Sequence, residues 1–337
     1  MMTDHWVISL LLGDTLSTLM AVFGTLIGWK IAVKWDPNSS SQFQLMLERK
    51  SYLVSALLVY VFTFEILSLW LFILTVNDHF PPLIRGAMCA TGSLNVDSFG
   101  WPTLYLKVVV FFLLSFWIYL HKIDRQLPEY PLTKEKFLAL LALSPVILFT
   151  TIIEFLYFVN IKPDIITTCC SVTFGAAGNE PTSVVAMNVK ENLVIGLFYL
   201  FVGINVALNM SIVFFDRMRN SVMPFFSPVA GAGVVVIGFL AVIHHYAKYI
   251  YGMPAHHCPF DMLWKEYYFI GYIIDGLLFM TLISSFIVGI ARLLNRRKLL
   301  EEVANRSLVR NALATACSTG ALFVIVTLIK TIWKILY

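Results

Sequence analysis

Apolar runs of about twenty residues recur eight times in this 337-residue chain, and no other feature limits its fold as strongly. A helix rises 1.5 Å per residue, so ~20 apolar residues cross a hydrocarbon core ~30 Å thick. The runs fall near 6–29, 51–76, 102–120, 137–160, 192–215, 224–247, 267–291 and 311–333. The connections between them are too short to hold a soluble domain. Buried core helices of a large soluble enzyme would need polar amphipathic partners, and the composition supplies none: 59% of residues are hydrophobic and 13% charged, against about 25% charged in soluble domains. The expectation is an all-α, polytopic integral membrane protein with one transmembrane domain over 1–337.

The leader "MMTDHW" has no Lys or Arg and carries Asp4, whereas a secretory signal needs a basic n-region. The first run therefore reads as a retained helix. Lys and Arg set the orientation. The connections 30–50, 121–136, 216–222 and 292–310 hold 16 of the 24, which makes them cytoplasmic and places both termini on the extracytoplasmic side of a cell or inner membrane. "RLLNRRKLLEEVANRSLVR" reads as a short amphipathic helix on the inner surface. The net charge of +4 is then a topology signal facing anionic lipid. No basic stripe with interleaved aromatics suggests nucleic acid.

That orientation gathers the reactive side chains on the outer face. Cys89, Cys169, Cys170 and Cys258 fall in outer loops, and only Cys317, in the inner half of the last run, lies elsewhere. Thiols on an oxidising side tend to pair, so at least one disulfide is expected among the four outer cysteines, with Cys317 a core thiol. His5, His79, His244, His245, His256 and His257 lie outside or at outer helix ends, and His121 inside. The densest stretch is "HHYAKYIYGMPAHHCPFD", 244–261, with four histidines and one cysteine.

Four acids lie within the apolar runs: Asp14, Glu65, Glu154 and Asp275. An Asp at a helix centre costs at least ~2.5 kcal/mol to insert, so such groups face a polar interior. By helical rise Asp14 and Asp275 sit about 12 Å below the outer surface, and the two glutamates at or above mid-membrane. Lys107, near the outer end of the third run, is a candidate partner. Asn205 and Asn209, at i and i+4, suit interhelical hydrogen bonding, and "GAGVVVIG" suits close helix packing.

The runs at 51–76, 137–160 and 224–247 each rise into a loop with a proline followed by a cysteine. "PLIRGAMCATG" and "PDIITTCCSVT" place Cys seven residues after Pro, at Pro82–Cys89 and Pro163–Cys170; "PAHHCPFD" is shorter. The architecture drawn from this is three helical hairpins with cysteine-bearing outer loops, flanked by two further helices.

Imidazole and thiolate suit Cu, Zn or Fe. His256 or His257 with Cys258, and with Asp261 nearby, are candidate ligands for zinc or copper. His244 or His245 would hold a haem axially or accept a proton from a quinol, unless they are interfacial anchors. "CPFD" is similar, over four residues, to the Cys-Pro-x-Cys redox motif of vitamin K epoxide reductase-like membrane proteins. Asp261 stands where the second cysteine would be, so that chemistry is lost and no family is assigned. No Walker loop, HExxH, nucleophile elbow or Cys-x-x-Cys-His occurs. Three functional classes remain: a redox or metal/haem-handling protein with an outer-face site and outer-side redox partners, which the clustering favours; a non-catalytic subunit of a larger membrane complex; and a proton- or ion-coupled transporter using the four acids.

Overall fold

The computed structural model describes residues 4–36, 41–127, 130–162, 167, 191–253, 256, 258–295 and 300–336. Among them the regular structure is helical, with no strand. Eight helices are long and apolar enough to cross a membrane, and each contains nearly all of one expected run. The polarity of the helices is inverted relative to a soluble protein. On α1, His5–Lys34, the exposed face is Leu12, Leu16, Leu19, Phe23 and Leu26, while Asp14, Ser17 and Thr18 are buried. Apolar side chains outward and polar ones inward is what a hydrocarbon solvent selects.

The chain divides into two compact units, Met1–Thr167 and Thr168–Tyr337. In the first, α1 is followed by α2 (Gln42–Leu74), the short α3 (Ala90–Leu94), α4 (Gly100–Asp124) and α5 (Thr133–Asn160). Here α1 packs on α2 and α5, and α4 packs on the same two, which closes a four-helix ring. Phe62, Trp117, Phe137 and Leu140 fill its lower half, with Phe62 edge-on to Trp117 at 4.9 Å.

The second unit contains α6 (Glu191–Phe214), α7 (Ser227–Ala241), the short α8 (Ala247–Tyr251), α9 (Ile270–Leu294) and α10 (Glu301–Leu336). Its long helices α6, α7, α9 and α10 close a ring in the same cyclic order. Gly231 lets α7 approach α9, because a Cβ there would collide with Ser285. Asn205 and Asn209 serve as interhelical contacts: Ser227 donates to Asn209 Oδ1 at 2.8 Å and Thr319 to Asn205 Oδ1 at 3.1 Å.

What recurs in the structure is this ring of four helices. In each unit the second long helix ends in a single wide π turn, Thr75–His79 in one and Val242–Tyr246 in the other. Each then enters a loop with a 3₁₀ turn and a buried cysteine, Cys89 or Cys258, before the third long helix begins. Cys89 precedes Lys107 by nearly the same spacing as Cys258 precedes Asp275.

Two expectations are corrected. Residues 301–310 are not a separate surface helix: Leu300, Ala304, Leu308 and Ala312 are all fully buried, and this i, i+4 stripe carries one continuous helix into the span. Cys317 is not a core thiol but is exposed on α10, because Thr315, Ala316, Ser318 and Thr319 take the inward positions.

Candidate functional site

The stretch 251–267 in the second unit folds around Tyr251. Its hydroxyl donates to the carbonyl of Cys258 and accepts from the Met262 amide at 2.9 Å. Its ring meets His256 edge-on at 4.6 Å and Tyr267 at 4.8 Å. The chain leaves α8 through Gly252, whose φ of 66° is the left-handed conformation glycine adopts at helix C-termini. Beyond it, His256 and Cys258 lie against Tyr251.

One carboxylate then gathers two of the expected ligands. Asp261 Oδ2 lies 2.6 Å from His256 Nε2, and the Cys258 thiol donates to Asp261 Oδ1 at 3.3 Å. Cys258 is fully buried, and the His256 and Asp261 side chains are 29% and 13% exposed. A nitrogen and a sulfur donor from within six residues thus contact the two oxygens of one carboxylate. Burial, and then the Asp261 and Glu266 carboxylates, push the Tyr267 phenol up, so it stays a neutral wall of this knot. His257 lies outside the described residues.

His245 belongs to the same unit but not to this knot. It is buried, and its Nδ1 bonds the carboxylate of Glu191 at the start of α6, which also binds Lys248. Its Nε2 is buried with no hydrogen-bond partner, and Tyr246 and Tyr249 pack edge-on at 4.9 and 5.0 Å. His244 is partly exposed.

The acids of the first unit form a second constellation. Lys107 Nζ lies 2.7 Å from Asp14 Oδ2, 3.0 Å from Glu154 Oε2 and 2.8 Å from Ser68 Oγ, with the Phe72 ring 5.6 Å away. Ser17 donates to Glu65. Asp14 and Glu154 are fully buried and Glu65 nearly so. Glu154 is close to Lys107, yet neither of its oxygens has a hydrogen bond of good geometry, and Asp14 Oδ1 also lacks one. Phe72 in turn meets Tyr157 and Phe158, and Phe158 meets Phe80, all four fully buried. Asp275 stands in the second unit and is partly exposed.

Of the four acids the sequence singled out, the structure brings Asp14, Glu65 and Glu154 together around Lys107, and Asp275 is not among them. The sequence also singled out His256, Cys258 and Asp261, which meet. It missed Glu191, whose only sequence signal is its place as the first residue of a span. It also missed the Asp124–Lys136 pair, 2.7 Å apart and buried where α4 ends and α5 begins. Among the described residues no disulfide is formed, and Cys169 and Cys170 lie outside them. Compared with known proteins, the chain matches no family model, no curated protein and no solved structure.

Proposed function

We propose that this integral membrane protein handles a thiophilic metal ion, or thiol-based electron transfer, at the 251–267 knot on its outer face. The observation that carries the proposal is the Asp261 carboxylate holding both the His256 imidazole and the Cys258 thiol. A thiolate, an imidazole and a carboxylate are the donor set of zinc and copper sites, and a carboxylate behind a histidine orients the ring and raises its basicity. Loading a metal would release the Cys258 proton, with Asp261 next to it as first acceptor. A haem remains the alternative cofactor, at His245, whose Nδ1 is already held by Glu191 and whose Nε2 has no partner. The three-hairpin arrangement belongs to the same proposal: it would put Cys89, Cys169, Cys170 and Cys258, and both termini, on one oxidising side, with a disulfide through Cys169 or Cys170.

The test is metal analysis and a visible spectrum of protein purified without chelator, beside His256→Ala, Cys258→Ser and Asp261→Asn. Near-stoichiometric zinc or copper that falls in all three variants supports the proposal. A wild type with neither metal, haem nor a titratable thiol couple overturns it.

A second proposal, a proton- or cation-coupled site in the first unit, is favoured by one observation: three buried carboxyl groups face a single ammonium, and Glu154 has no well-formed hydrogen bond. Protons or a small cation would balance the excess negative charge. Reconstituted vesicles with an entrapped pH dye read it directly: proton movement that Glu154→Gln abolishes supports it, and tight vesicles in wild type reject it. If both tests are negative, the docking-subunit class is what remains.

A further inference from the structure

At the opposite end of the first unit, where α2 begins and α4 ends, a cavity of about 480 Å³ opens between α2, α4 and α5. Its polar wall is Arg49, Ser55, His121, Arg125 and Lys136, with Glu48 the one acid. A second cleft of about 510 Å³ shares Tyr52, His121 and Arg125 with it and continues along Val59, Tyr60 and Ile118, with Lys122 at its mouth.

Three features mark a ligand rather than a packing defect. First, two residues that line the cavity each carry a buried polar atom with no hydrogen-bond partner: His121 Nδ1, in a residue 7% exposed, and Ser55 Oγ, in one 1% exposed. A buried polar atom without a partner is costly, so a donor or acceptor from elsewhere is what the site lacks. Second, the charge is positive and uncommitted. Lys136 is tied to Asp124, but Arg49, Lys122 and Arg125 form no ion pair among the described residues. Third, the apolar wall is continuous with the exterior: from Arg49 to Tyr60 α2 rises about 16 Å, and Tyr52 and Tyr60 are 56% and 78% exposed within a membrane-spanning helix.

We propose that the paired cavity binds a phosphate-bearing membrane lipid. The phosphate would sit among Arg49, His121 and Arg125, and a tail would lie against Val59, Tyr60 and Ile118. Arginine matches phosphate oxygens with a planar fork of donors, and basic pockets between membrane helices on the cytoplasmic side hold such headgroups. This end carries the connections richest in Lys and Arg. A free phosphate would use the polar mouth but leave the apolar cleft without a role.

The test is photolabelling in nanodiscs with a diazirine-bearing phosphatidic acid, beside a phosphatidylcholine probe with the same acyl chain. Wild type should be labelled by phosphatidic acid on peptides from α2 and α4, well above the choline probe. Arg49→Gln/Arg125→Gln should weaken labelling at least roughly tenfold, the scale of a lost charge-assisted hydrogen bond. His121→Phe, which fills the cavity with an apolar ring, should block it while leaving the melting temperature near wild type. Unlabelled phosphatidic acid should compete and inorganic phosphate should not. Equal labelling by the two lipids, or unchanged labelling in the double variant, overturns the proposal; full competition by inorganic phosphate reassigns the site to a soluble anion and also overturns it.

Discussion

The ammonium of Lys107 on α4 lies 2.7 Å from the Asp14 carboxylate on α1, with the two side chains 3% and 1% exposed. That contact joins two helices that run on opposite sides of the first ring, and Glu154 on α5 closes it from a third at 3.0 Å. The ring is therefore centred on buried charge.

Lys107→Met would keep the aliphatic volume and remove the only cation, leaving Asp14, Glu65 and Glu154 buried together. Breaking a buried pair from one side costs about 3–5 kcal/mol, whereas replacing all members by neutral groups is far milder. Lys107→Met should thus lower the melting temperature in detergent sharply, and Lys107→Met with Asp14→Asn and Glu154→Gln should recover most of the loss. A single variant as stable as wild type would show that the cluster is not held by charge.

A milder tie joins the N-terminus to the end of α2. Asp4 caps α1 by accepting from the Trp6 amide at 2.9 Å and pairs with His79 at 2.7 Å. Burial works to raise the Asp4 carboxyl, but the His79 and Trp6 hydrogen bonds outweigh it and leave it below its ordinary 3.8. A carboxylate held low stabilises the fold above that pH and loses its contribution as pH falls through the lowered value. Asp4→Asn should cost under about 1 kcal/mol at neutral pH, as partly exposed pairs do. The difference from wild type should shrink as pH falls below 3.8 and through the lowered value. Unfolding in detergent across pH measures both.

The membrane class, the eight spans and the acid cluster were legible because each is written in local pattern: run length, and charges that have no tolerable place except inward. Lys107 and Asp14 are 93 positions apart, yet desolvation alone predicts that Lys107 meets one of the buried acids. The fourfold ring and its recurrence were not legible, since helix neighbours depend on side-chain fit, which the proline–cysteine spacing does not report. The base cavity was invisible for the same reason: Arg49, His121 and Arg125 look like ordinary inner-loop cations until α2 and α4 are set side by side. Residues 301–310 misled because their charges resemble a surface helix, while the buried stripe from Leu300 to Ala312 continues into the span.

The 16 Lys and Arg residues on one set of connections predict that both termini lie outside. Protease-cleavable tags at Met1 and Tyr337 should both be cut in intact cells or right-side-out vesicles, and a tag in the 121–136 connection should be protected. Protection of either terminus would invert or change the span count.

The last prediction separates a binding site from a structural knot at 251–267. Tyr251→Phe removes the hydroxyl that joins the Cys258 carbonyl to the Met262 amide, and Met262 is 1% exposed. A buried amide that loses its acceptor costs about 1–3 kcal/mol, so the loop should open locally. Cys258, fully buried in the wild type, should then react with maleimide faster, while His256 and Asp261 are still present to bind. Asp261→Asn does the reverse: it is nearly isosteric and keeps an oxygen for the Cys258 thiol, so alkylation should stay slow, but it removes the charge that a bound cation and an oriented His256 need. If the knot is a metal site, Asp261→Asn loses metal with the thiol still protected, and Tyr251→Phe retains metal that in turn slows its alkylation. If the knot is only structural, both variants alkylate in proportion to their lost stability and added zinc changes neither rate.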